Sequence, residues 1–278
     1  MIKTIFLGMA LIFAAMQMSG AESYALENPY RGGVIPVEME MIESSEYIFV
    51  FIHGMGGSKS SFREMKEMCV RDGISWVSFD LRGHGDSEES FDFFDSVSDL
   101  FAVVESVHAE FPEKKIVVVG HSLGASIACM SGMELDGRRV IDQIDTVISL
   151  SSPAAVGDIL HLDPAFDWLA DAIESDAWSN IERFFGNRQI RIGGVLFDMK
   201  AIEDFVSQSD TRMADYVSMI SPSKLVIVHG TNDLIVTIDS AFEIYKNAEE
   251  PKSIRIFEGE GHDIEDKDEL YSTIISEL

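Results

Sequence analysis

Short apolar runs rich in β-branched residues recur along the chain, and most stop at a glycine, histidine or aspartate. Tyr47–Ile52 ends at His53-Gly54, Ile74–Phe79 at Asp80, and Lys115–Val119 at Gly120-His121. Asp145–Leu150, Leu225–Val228 and Ser253–Phe257 have the same form, and Gly33–Met41 opens the series. Runs of this kind read as buried strands. Between them lie segments with helical spacing. Ser58–Cys69 is one, Glu269–Leu278 another, and Val97–Glu110 sets Leu100, Val103, Val104 and Val107 on one face. Strands alternating with helices predict an α/β fold with a mostly parallel sheet and helices on both faces. Ligands of such sheets bind beyond the carboxyl ends of the strands, where the glycine-, histidine- and aspartate-bearing loops fall.

One stretch breaks the rhythm. From Pro153 to Ser221 no apolar run reads as a strand, and helical segments carry Phe166, Trp168, Trp178, Phe184, Phe185, Phe197 and Phe205. This predicts a helical insertion, residues 153–221, between two sheet strands, with residues 22–152 and 222–278 forming the core. Its aromatics are expected to divide between a small core of their own and the substrate, most being structural.

The N-terminus reads differently again. Lys3 precedes the apolar run Ile5–Met16, which is short for a bilayer span, and Ser19-Gly20-Ala21 then offers small residues suited to a signal peptidase. Residues 1–21 are therefore expected to be a secretory signal cleaved before Glu22, which would export the chain to the periplasm or beyond and leave no stable membrane span. A retained anchor, or a start assigned too early in a cytoplasmic chain, is the alternative. No cysteine follows the run, so a lipid anchor lacks support.

Composition narrows the partners. The 278 residues are 46% hydrophobic and 25% charged, which suits one large domain with an insertion or two small domains. A net charge of -27 repels nucleic acid and anionic membranes. Cys69 and Cys129 fall in different predicted helices and are expected to be free, buried thiols.

The chemistry centres on Gly120-His121-Ser122-Leu123-Gly124, directly after an apolar strand and before the small-residue helix Ala125–Cys129. A serine framed by glycines at such a junction reads as a nucleophile elbow, where strand and helix pass too close for larger side chains. A serine hydroxyl needs a base, and the base needs an orienting carboxylate. In elbow-bearing folds the order is serine, acid, histidine. Of the seven histidines, only His262 in Glu260-Gly261-His262-Asp263 follows both the serine and a suitably placed acid. That acid is Asp233, reached from Leu225–Val228 through His229-Gly230-Thr231-Asn232, with Asp204 and Asp239 as weaker choices. Backbone donors for an oxyanion are expected at Leu123, after the nucleophile, and at Met55 in His53-Gly54-Met55-Gly56-Gly57. His53 itself is expected to shape that loop.

Four segments now agree: the Met55 loop, Asp80-Leu81-Arg82-Gly83-His84-Gly85-Asp86-Ser87, the Ser122 elbow, and Gly230-Thr231-Asn232-Asp233 with Gly261-His262. Together they resemble the α/β-hydrolase superfamily, in particular its monoacylglycerol lipase-like or serine aminopeptidase S33 branch. The resemblance implies an α/β-hydrolase fold and a Ser122–Asp233–His262 triad. It also implies an oxyanion hole at Met55 and Leu123, and a cap between the sixth and seventh sheet strands that shapes acyl-chain binding. Relatives that dehalogenate or open epoxides use an aspartate where this chain has Ser122, which disfavours those reactions. No cofactor or metal is implied; His161 and Asp163 are too few for a metal site. The leading expectation is hydrolysis of monoacylglycerols or other short to medium acyl esters. Aminopeptidase, amidase or thioesterase activity is the alternative, as is a catalytically silent ligand-binding protein on the same scaffold.

Overall fold

The computed structural model describes residues 20–160, 164–173, 175, 177–186 and 188–278. Most of the expected signal, His161, Asp163 and the side chain of Phe166 lie outside the described residues. The apolar runs become strands of one eight-stranded sheet. In chain order they are β1 (Glu22–Glu27), β2 (Val34–Glu40), β3 (Tyr47–Ile52), β4 (Ser75–Phe79), β5 (Lys115–His121) and β6 (Thr146–Leu150). A short hairpin, β7 (Ile190–Ile192) and β8 (Val195–Phe197), comes next, and then β9 (Lys224–Gly230) and β10 (Lys252–Phe257) rejoin the sheet. Its spatial order is β1-β2-β4-β3-β5-β6-β9-β10. β1 with β2 and β2 with β4 are antiparallel, and all other pairings are parallel. β5, which carries the elbow, is central.

Strand alternation divides the core into two layers. On one side Ile48, Val50 and Ile52 of β3 pack with the apolar stripe of α2 (Phe93–Glu110) and with Leu123 and Ile127 of α3 (Leu123–Cys129). On the other, Phe49 and Phe51 pack with Met65 and Cys69 of α1 (Arg63–Arg71) and Leu270 and Ile274 of α9 (Lys267–Ser276). Each such phenylalanine, fully buried, contributes about 1.5–3 kcal/mol. α8 (Ile238–Asn247) follows β9 and buries Ala241 and Ile244. Cys69 and Cys129 are both buried and free.

Between β6 and β9 lie α4 (Val156–Leu160), α5 (Pro164–Ile173), α6 (Trp178–Phe185), the β7–β8 hairpin and α7 (Met199–Ser207). This segment packs on the α2 side of the sheet. Phe197 and Phe205 are fully buried against Phe91, with ring centroids 5.5 and 5.1 Å away. The Leu196 N–H donates to Gly83 O and the Phe91 N–H to Leu196 O, both at 2.8 Å, which ties the hairpin to the loop after β4. Trp168 and Phe184 face solvent.

Differences from the sequence reading have local causes. The apolar pattern does not mark β1, an edge strand whose only buried residue is Leu26. The three-residue strands of the hairpin are too short to show a period. α1 begins at Arg63 rather than Ser58, because Ser58 and Ser61 close a turn: the Ser61 N–H donates to Ser58 O at 2.9 Å and the Ser58 N–H to Ser61 Oγ at 3.0 Å. α2 begins earlier than expected, at Phe93, because the carboxylate of Asp92 caps it by accepting from the Asp95 N–H at 2.8 Å.

Candidate active site

The glycines at the end of β5 are dictated by backbone, not by side chains. A Cβ on Gly120 would sit 2.2 Å from Gly124 O, and one on Gly124 2.2 Å from Ile52 O. This close crossing of β5, α3 and β3 forces the turn. Ser122 adopts φ 54° and ψ -119°, a strained region for a residue with a Cβ. It is held there by its N–H to Leu150 O at 2.9 Å. Its backbone carbonyl accepts from Ala125 and Ser126 at 2.9 and 3.1 Å, so the strained serine is also the cap of α3.

The expected acid and base meet. His262 Nδ1–H donates to Asp233 Oδ2 at 2.8 Å, which leaves Nε2 as the basic nitrogen. The Asp233 side chain is fully buried, and its Oδ1 accepts from the Ile235 and Val236 N–H groups at 2.9 and 2.8 Å. These bonds hold the carboxylate whose negative charge orients the imidazole. Ser122 and His262 line one cavity of about 630 Å³ beyond the carboxyl ends of β5 and β6, together with Met55, Leu150 and Ile235. Asp204, a fallback acid, lies on α7 and pairs with Lys200; Asp239 lies on α8.

Among the described residues, the two expected oxyanion donors have free N–H groups. Leu123 is the first residue of α3, so its N–H has no intrahelical acceptor. The Met55 N–H has no acceptor among the described residues. The Met55 loop is anchored on both sides. His53 Nδ1–H donates to Gly54 O at 2.8 Å, and His53 Nε2 accepts from the Leu81 N–H at 3.1 Å. Buried Asp80 accepts from the Lys59 N–H and from Lys59 Nζ, both at 2.6 Å, and from the Asp86 N–H at 2.9 Å. The Asp80–Ser87 loop is thus a strut for the Met55 loop.

Three further residues were not singled out by sequence. His229 reaches Asp233 Oδ2 at 3.2 Å, the same oxygen that accepts from His262. His121 Nε2–H and the Ser151 hydroxyl both donate to the backbone carbonyl of His262, at 3.0 and 2.8 Å. The signal for His229 was its spacing, four residues before Asp233 and at the end of a strand. For Ser151 it was its position directly after a strand beside the elbow strand. Among the described residues, no group of three or more histidine, cysteine, aspartate or glutamate side chains is arranged to hold a metal. No helix among them is long and apolar enough to cross a membrane.

Comparison with known proteins agrees with this architecture. A Mycoplasma pneumoniae protein named as an esterase/lipase is 24% identical over 226 residues, covering 77% of this chain and 81% of its own. Lysophosphatidylserine lipase ABHD12 of Danio rerio is 25% identical over 216 residues, but the match spans only half of that longer protein. Among solved structures, the alpha/beta hydrolase GrgF of Penicillium sp. sh18 superposes with a TM-score of 0.74 at 14% identity, covering 93% of this chain and 97% of GrgF. Est1E of Butyrivibrio proteoclasticus with bound ferulic acid superposes with a TM-score of 0.65 at 19% identity, covering 91% and 97%. The sequence model of the alpha/beta hydrolase family matches residues 49–272, most of the sheet and every residue of the candidate site, and the chain belongs to that family.

Proposed function

We propose that this chain is a serine hydrolase that cleaves carboxylic esters with short to medium acyl groups, monoacylglycerols among the candidates, through an acyl-enzyme. The observation that carries the reading is the 2.8 Å bond from His262 to buried Asp233, in a cavity shared with a strained Ser122. Ser122 Oγ attacks the ester carbonyl as His262 Nε2 takes its proton. The N–H groups of Met55 and Leu123 stabilise the developing oxyanion, each such donor being worth about a hundred- to a thousand-fold in rate. His262 then protonates the departing alcohol, and water, activated the same way, releases the acid. The esterase and lipase names of the relatives support an ester over other acyl substrates.

In this reading residues 153–221 form a cap beside the site, and residues 1–21 are a secretory signal. β1 begins at Glu22, so the chain left after cleavage would start with the edge strand. A fluorophosphonate probe should label the wild-type protein at Ser122 and leave Ser122→Ala unlabelled and inactive on p-nitrophenyl esters. Failure to label the folded wild type overturns the proposal. Faster turnover of an aminoacyl anilide than of the ester would move it to amide hydrolysis.

A further inference from the structure

The cavity that contains Ser122 opens between α1 and α9, whereas residues 153–221 pack on the α2 side of the sheet. Among the described residues, none of that segment lines it. Its walls come from the Met55 loop and the start of α1 on one side, and from the loop after His262 and the first turn of α9 on the other. Phe62, Met65 and Leu270 are 8%, 3% and 2% exposed and make an apolar floor. Phe62 is fixed by stacking on Phe51, with centroids 4.8 Å apart. The rim carries Arg63, Glu64, Asp263 and Lys267, two charges of each sign. Lys267 Nζ is already bonded to the carbonyls of Asp263 and Ile264, and Arg63 reaches Glu67 at 4.0 Å. Balanced rim charges over an apolar floor select for an uncharged group.

An ester has two arms, and the chemistry distinguishes them. His262 must protonate the leaving oxygen, so the alcohol arm lies against His262. Asp263, Lys267 and Leu270, which follow His262 in the chain, line this same cavity. We propose that the α1–α9 cavity is the binding site for the alcohol arm of the substrate, that this arm is an uncharged apolar alkyl or aryl group, and that Glu64, Met65 and Leu270 set its preferred size. This inference rests on the ester-hydrolase reading. A volume of about 630 Å³ lies in the range of pockets that enclose medium-sized ligands. This assignment narrows the ester reading away from monoacylglycerols, whose glycerol hydroxyls gain nothing from a floor of Phe62, Met65 and Leu270.

Two substrate series test the assignment: acetates of ethyl to octyl and benzyl alcohols, and ethyl esters of acetic to octanoic acids. In the wild type kcat/KM should rise along the alcohol series. Glu64→Trp, an exposed rim substitution that leaves the core intact, should narrow the entrance. It should lower the octyl-to-ethyl ratio about tenfold, the scale on which apolar pockets discriminate. Met65→Ala should shift the preferred alcohol to a larger one, and neither variant should alter the trend along the acyl series. A change confined to the acyl series overturns the arm assignment. If neither series responds while the wild type turns over both, the cavity is not a substrate subsite. A wild type that hydrolyses no ester and takes no fluorophosphonate label overturns the hydrolase reading together with this one.

Discussion

His229 Nε2 lies 3.2 Å from the same Asp233 oxygen that accepts from His262. Nε2 is also 2.8 Å from Val236 O, and a carbonyl only accepts, so His229 carries its proton on Nε2. Its Nδ1 is then bare, and that buried atom has no partner among the described residues. Burial lowers the pKa of the ring, which keeps it neutral. Asp233 therefore receives two backbone N–H groups on Oδ1 and the His262 Nδ1–H on Oδ2, with the edge of the His229 ring, whose N–H goes to Val236 O, beside the same oxygen. Its carboxylate is fixed in orientation before His262 is considered.

His229→Leu should remove the bond to Val236 O and so loosen the loop whose Val236 N–H holds the Asp233 carboxylate. A hydrogen bond to a charged group is worth about 1.5–3 kcal/mol, so kcat on a p-nitrophenyl ester should fall at least about tenfold. His229→Gln, which keeps an N–H, should lose less. Equal losses in the two variants would mean that His229 only fills space.

The elbow glycines give a stability prediction. The atoms that a Cβ would strike at Gly120 and Gly124 are backbone atoms of α3 and β3, which have little room to move. Overpacking of this kind costs about 1–3 kcal/mol or more. Gly120→Ala and Gly124→Ala should each lower the urea midpoint by a corresponding amount and reduce probe labelling of Ser122. An unchanged midpoint in both would contradict the close crossing.

Much of this arrangement was legible in the sequence because it rests on local rules. β-branched runs mark buried central strands, and small residues mark the elbow. The ordering of acid and base left His262 alone among the histidines. What escaped depends on how a turn folds or on contacts far apart in sequence. The sequence places His229 in the connection from Leu225–Val228 to Asp233, whereas it ends β9 and the turn after it folds Asp233 back onto the ring. Ser151 meets His262 across 111 positions. β1 escaped because its partner β2 covers one edge only, so few of its side chains are buried. The aromatics of residues 153–221 were legible as an apolar set. Their division was not: Phe197 and Phe205 meet Phe91, whereas Trp168 and Phe184 meet solvent.

Two buried histidines set an acid limit. His53 and His84 are each 1% exposed, with rings 5.1 Å apart. Burial lowers their pKa values to about 4 and about 3. The unfolded chain binds these protons near pH 6.5. Between that pH and about 4 it therefore holds more protons than the folded chain, and stability falls as pH falls. Each ring contributes a slope of up to about 1.4 kcal/mol per pH unit. Urea unfolding at pH 7.5, 6 and 5 should show progressive loss. His84→Asn should flatten the dependence below pH 6, and an unaltered slope would exclude His84 as a source.

The backbone of His262 is held by residues from two adjacent strand ends. His121 Nε2–H donates to its carbonyl from the end of β5, and the Ser151 hydroxyl donates to the same carbonyl from just beyond β6. Because His121 directly precedes Ser122, one hydrogen bond links the base to the residue beside the nucleophile. Asp233 orients the ring, but these two donors fix the main chain from which the ring projects. Loss of either should misplace His262 Nε2 relative to Ser122 Oγ and slow the chemical step with little effect on substrate binding. His121→Leu should therefore lower kcat about tenfold, one net hydrogen bond being worth about 1 kcal/mol and misalignment adding to it, with KM little changed. His121→Gln, whose side-chain amide N–H offers the same carbonyl a donor, should recover most of the loss. Ser151→Ala should act in the same direction, and the double variant His121→Leu/Ser151→Ala should depart from additivity because both donors serve one acceptor. An effect on KM alone, or a glutamine no better than leucine, would show that the two residues fill space rather than position the base.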